Sequence, residues 1–215
     1  MIRSLFGLLN YKEDEVQTIR IYDKTITEYP EKLYQLGVKE LCLDGFHVEE
    51  FPDFSRLIEL KCISLDKIPA KIIPSNINLL TNIKSITFCK MGIKNIPDEL
   101  YQLTQLEQLI LENNGIEYIS ESICNLFPLK FLSLRRNEIK EIRFTLYDIE
   151  NVDLCHNQLR ILPEISNIED IYIFGNEFQF ITYEESTDIY DEESYNKIKE
   201  IELKNMYHDK KSARK

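Results

Sequence analysis

Glycine is scarce here, six among 215 residues, and no two are separated by a single residue. A phosphate cradle needs closely spaced glycines so that backbone N–H groups can approach the ligand. Neither a P-loop nor a dinucleotide fingerprint can therefore be written. Paired cysteines are also missing. Cys42, Cys62, Cys89, Cys124 and Cys155 contain no C-x-x-C, which removes the common zinc and thiol-redox spacings. The sequence has no N-x-S/T sequon, and its scattered, odd-numbered cysteines point to reduced thiols in the cytoplasm. No apolar run approaches the roughly 20 residues that span a bilayer. The short run at residues 5–9 is shorter than the apolar core of a secretory signal.

Positive charge is in deficit. Lys plus Arg total 26 against 37 Asp plus Glu, a net charge of -11. That field repels nucleic-acid phosphates and anionic membranes, so neither is expected as a partner. A basic protein would be attracted, with fast and salt-sensitive association. Histidine is sparse too: His47, His156 and His208. Asp153, Cys155 and His156 invite a nucleophile triad, but side chains adjacent along a strand point to opposite faces. The acidic run at 184–193 lacks the glycine turn and ligand spacing of a calcium loop. No enzyme activity, cofactor or metal is expected.

What the chain has instead is a repeat. Residues 106–116, LEQLILENNGI, and 129–139, LKFLSLRRNEI, share apolar positions 1, 4, 6 and 11 and an asparagine at 9. Position 1 recurs at Val16, Val38, Leu57, Ile83, Leu106, Leu129, Ile149 and Ile168, with a 26-residue third copy and a bulge near Pro74. Positions 4 and 6 are Ile19/Ile21, Leu41/Leu43, Leu60/Cys62, Ile86/Phe88, Leu109/Leu111, Leu132/Leu134, Val152/Leu154 and Ile171/Ile173. This reading makes Cys62 a core residue. Position 9 is Asn114, Asn137, Asn157 and Asn176 in the later copies, but Lys24, Phe46, Leu65 and Met91 in the earlier ones. Residues two apart share a strand face, and one copy cannot bury that face alone, so the copies must stack.

The L-x-x-L-x-L spacing over residues 16–180 resembles the leucine-rich-repeat family, in its typical, bacterial-like form with repeats of about 23 residues. The resemblance implies an α/β solenoid, a horseshoe with a parallel sheet on its concave face and short helical turns on its convex face. It also implies that the position-9 asparagines bond backbone at each bend. Tyr29-Pro30, Phe51-Pro52, Ile68-Pro69, Ile96-Pro97 and Leu162-Pro163 mark the starts of the convex turns. Residues 1–15 are read as an N-terminal cap. Residues 181–215 are read as an acidic segment, a closing helix and a basic tail.

The template leaves the sheet's open face to free choice. Position 5 reads Arg20, Cys42, Lys61, Thr87, Ile110, Ser133, Asp153 and Tyr172, and position 7 reads Tyr22, Asp44, Ile63, Cys89, Glu112, Arg135, Cys155 and Phe174. Aromatics and arginines mixed with carboxylates mark interface centres. The expected partner-binding residues are therefore Ile110, Phe131, Arg135, Arg136, Asp153, His156, Tyr172 and Phe174. They lead to a non-catalytic protein-binding module, monomeric when free. Its most specific version is an inhibitor or immunity-type protein that neutralises a basic toxin or effector. An intracellular adaptor linking two proteins is the alternative.

Overall fold

The computed structural model describes residues 18–178. The expected cap at 1–15 and closing segment at 181–215 lie outside them. Eight short strands form one parallel sheet in the order β1, β2, β3, β4, β5, β6, β8, β10. They are β1 (Thr18–Tyr22), β2 (Glu40–Asp44), β3 (Cys62–Asp66), β4 (Ser85–Cys89), β5 (Gln108–Ile110), β6 (Phe131–Ser133), β8 (Asn151–Asp153) and β10 (Asp170–Tyr172). Each strand pairs with its counterpart one coil away. Burial alternates along β2, β3 and β4, which puts positions 4 and 6 inside and positions 3, 5 and 7 on the open face.

One expectation is overturned. Leu41 pairs with Ile63 and Ile63 with Ile86, so the third copy starts at Leu60 and not at Leu57. Its template residues are Leu60, Ile63 and Leu65, all fully buried. Cys62 therefore leaves the core and lies half-buried on the open face. Ser64 and Asp66 take the places assigned to Lys61 and Ile63, and Ile68 takes that of Leu65. The irregular copy disappears, because strand pairing requires adjacent coils to stay in phase. Pro74, and not Pro69, now matches Pro30, Pro52 and Pro97.

The convex elements are single 3-10 turns, at Glu31–Gln35, Phe54–Arg56, Ser75–Leu79, Asp98–Gln102 and Glu121–Asn125. Pro30, Pro74 and Pro97 sit just before three of them in extended conformation. Their carbonyls accept from Leu33, Ile77 and Leu100 at 2.9, 3.1 and 3.0 Å. Ser120 takes the same place and caps Ser122 N with its hydroxyl at 3.2 Å. The sixth and seventh copies are shorter. They replace the turn by β7 (Leu146–Tyr147) and β9 (Ile165–Ser166), which pair with each other.

The asparagine ladder is present in the later coils. Asn137 is buried; its Nδ2 donates to the carbonyls of Leu111 and Leu134 at 2.8 and 2.9 Å. Its Oδ1 accepts from Ile116 N at 3.1 Å. Asn114, Asn157 and Asn176 repeat the pattern. In the earlier coils Phe46, Ile68 and Met91 fill the same position as buried apolar groups. An aromatic cluster there includes Phe51 edge-on to Phe88, with ring centroids 5.0 Å apart.

Asn137→Ala leaves backbone groups buried and unpaired, so it should cost about 1–3 kcal/mol in denaturant titration. Exposed Lys24 occupies the same position, and Lys24→Ala should change stability by less than about 0.5 kcal/mol. Equal effects would contradict the ladder.

Candidate functional site

The sheet register assembles the later half of the open face. Ile110, Ser133, Asp153 and Tyr172 form one row across β5, β6, β8 and β10. Gln108, Phe131, Asn151 and Asp170 form the row beside it. Strands spaced about 4.8 Å apart place Phe131, Asp153 and Tyr172 within reach of one small protein surface. Ser133 is fully buried between its larger neighbours, and its hydroxyl donates to Glu112 Oε1 at 2.8 Å. Phe131, Ile110 and Tyr172 are half-buried, and Phe174 is 36% exposed.

Charge within the patch is organised. Arg135 Nη1 lies 3.8 Å from Asp153 Oδ2, both mostly shielded from solvent. The other Asp153 oxygen accepts from Cys155 N at 2.8 Å, which fixes the carboxylate at the strand end. Burial, followed by the charges of Asp170 and Asp153, raises the Tyr172 hydroxyl pKa, so the phenol stays a neutral donor at physiological pH.

Position 8 shows a backbone device that the repeat pattern alone did not reveal. Gly45, Lys67, Lys90, Asn113, Arg136, His156 and Gly175 all have positive φ. That conformation follows every strand of the sheet but β1, and the position-8 amides from Gly45 to His156 donate to the next coil. Arg136 N and His156 N reach the carbonyls of Cys155 and Phe174 at 2.8 and 2.7 Å. Arg136 remains exposed beside the patch and His156 is half-exposed. The His156 ring stands edge-on to Phe174, with centroids 5.5 Å apart. A Cβ at Gly175 would lie 2.6 Å from His156 Nδ1, so glycine is what allows the imidazole to rest there.

The sequence reading placed Cys155 outward, but it is only 3% exposed. Burial and then Asp153 push its thiol pKa up to about 12, and burial pushes Cys89 up to about 11. Burial also raises Cys62 and Cys124. Cys155 is therefore a protonated thiol at neutral pH and a poor nucleophile. All five cysteines are free. Among the described residues no group of histidine, cysteine and carboxylate side chains could hold a metal ion. No helix there is long and apolar enough to cross a membrane.

The earlier half of the open face is different in kind. Lys67 Nζ sits 2.7 Å from Asp66 and 3.3 Å from Asp44. Thr18 and Arg20 both engage Glu40, and Ser85 donates to Gln108 at 2.7 Å. Most of its polar groups answer one another, although Asp66 Oδ1 is buried without a hydrogen bond, and its exposed aromatic is Tyr22. The register error concealed Asp66 and Lys67 from the sequence reading. The proline spacing was the signal that could have revealed them.

No protein-family model matches the chain, and no curated protein matches it. Solved structures do. A leucine-rich-repeat protein of Leptospira interrogans aligns at 19% identity and TM-score 0.62, over 84% of this chain and 60% of that one. Internalin C2 of Listeria monocytogenes aligns at 19% identity and TM-score 0.56, over 73% of this chain and 80% of that one. The plant peptide hormone receptor RGFR1, in complex with RGF2, aligns at 19% identity and TM-score 0.53, over 74% of this chain and 29% of that one. The chain thus spans under two thirds of the Leptospira structure and of the receptor. The fold is the leucine-rich-repeat solenoid.

Proposed function

We propose that this leucine-rich-repeat solenoid is a non-catalytic binding module that captures a protein on the concave face of its later coils. The supporting observation is the cluster of Phe131, Tyr172 and Phe174 around the Arg135–Asp153 pair. Phe131, Asp153 and Tyr172 stand on hydrogen-bonded strands, with Arg135 and Phe174 just beyond the ends of β6 and β10. Aromatic and arginine side chains carry most of the energy in protein interfaces, and a rigid sheet limits the entropy lost on docking. The receptor among its structural likenesses was solved with a peptide bound, which fits the same use of the fold.

The partner in this reading is a basic protein, drawn by the net charge of -11. The module acts in the cytoplasm, monomeric when free, as an inhibitor or immunity-type protein against a basic toxin or effector. A partner isolated from native lysate should associate about tenfold more slowly when ionic strength rises from low to physiological. Association indifferent to salt, measured by stopped flow, would contradict the electrostatic part. An adaptor role is the second reading, favoured by a separate groove on the solenoid's flank.

A further inference from the structure

We propose that the flank of the first three coils is a second binding surface, which takes a basic, extended peptide segment of another protein. A groove of ≈ 1280 Å³ runs there, where the chain leaves β1, β2 and β3 for the convex turns. None of the concave cluster lines it. Pockets for small ligands are enclosed and typically ≈ 300–1,000 Å³. This one is larger and more open, and its lining spans three coils, which favours a chain over a compact molecule.

The chemistry of the trough is one-sided. Glu28, Glu49, Glu50 and Asp53 line it, against Lys71 and His47. Glu28, Glu49 and Glu50 form no ion pair among the described residues. Asp53 is already engaged, since it accepts from Ser55 N at 3.0 Å and Ser55 Oγ at 2.6 Å. Two wall hydroxyls already have partners. Tyr29 donates to the Glu50 carbonyl at 3.0 Å, and Tyr34 accepts from Asp53 N at 3.2 Å.

A further feature defines the occupant. Ile72, at 83%, is the most exposed large hydrophobic among the described residues. Its counterparts one and two coils earlier are Glu50 and Glu28. The lip therefore runs from carboxylate to apolar, which suits lysine or arginine heads followed by an aliphatic side chain or stem. A second copy of this chain, itself at -11, is repelled.

Fluorescence anisotropy on the full chain at physiological salt tests this. The probe is an end-blocked, fluorescein-labelled decapeptide of alternating lysine and leucine, with a glutamate–leucine peptide as charge control. The lysine probe should bind saturably and the control should not. Glu49→Lys combined with Glu50→Lys should weaken binding about tenfold or more. Ile72→Ser should weaken it several-fold, and Tyr172→Ala should leave it unchanged, with thermal unfolding confirming that each variant is folded. Undiminished binding by the Glu49→Lys/Glu50→Lys variant, loss on Tyr172→Ala, or no binding by the wild type overturns the proposal. So does tighter binding after Lys210, Lys211, Arg214 and Lys215 are all changed to glutamine, because the chain's own basic end would then be the occupant.

Discussion

Replacing Tyr172 or Arg135 with alanine should each weaken partner binding by about 2 kcal/mol or more, roughly 30-fold in affinity. Tyr172 offers a half-buried ring and a neutral hydroxyl at the end of β10, one strand from Asp153. Arg135 brings a guanidinium held near a carboxylate but not in tight contact, at 3.8 Å. It can therefore redirect its donors to a partner at little cost. Neither residue occupies a template position, so both variants should unfold within about 0.5 kcal/mol of wild type. Glu107→Ala is the control. Glu107 lies on the margin of the face, where it pairs with Lys84 at 2.6 Å, and such exposed pairs contribute little. Variants that unfold would show that the cluster is structural. Variants that keep both stability and affinity would show that the partner docks elsewhere.

The largest expected effect on stability is Phe88→Ala, at about 3–5 kcal/mol. Phe88 is fully buried at position 6 of the fourth coil and packs edge-on against Phe51. That ring contact reaches from the fourth coil to the second, so a cavity there weakens the link between the earlier and later coils. Urea unfolding should shift to lower midpoint and lose cooperativity, with the later coils outlasting the earlier ones. Phe127 is 77% exposed, and Phe127→Ala should move the midpoint little. A similar cost for both would contradict the placement of the core.

The eight strands and the asparagine ladder were legible because their spacing repeats and burial demands the same residue at the same place. The third coil was misread for a physical reason. Leu57, Leu60 and Cys62 satisfy the template as well as Leu60, Ile63 and Leu65 do, because its first two apolar positions are themselves three apart. Strand pairing breaks the tie, and so does the even step from Pro30 to Pro52, Pro74 and Pro97. The concave location of Phe131, Arg135, Asp153 and Tyr172 followed from register alone. The burial of Cys155 and Ser133 did not, because side-chain size in neighbouring coils decides it. Nor did the left-handed conformation of Arg136 and His156, since lysine, asparagine, arginine, histidine and glycine all occupy that position.

Site-specific photocrosslinking in native cells tests the concave-face reading most directly. A photoreactive residue is placed in turn at position 151, beside Phe131 on the open face, and at position 118, where exposed Tyr118 lies off that face. A partner should crosslink at position 151 and not at 118, and Tyr172→Ala should abolish the product. A crosslink at 118 alone, or one at 151 that survives Tyr172→Ala combined with Arg135→Ala, would contradict it.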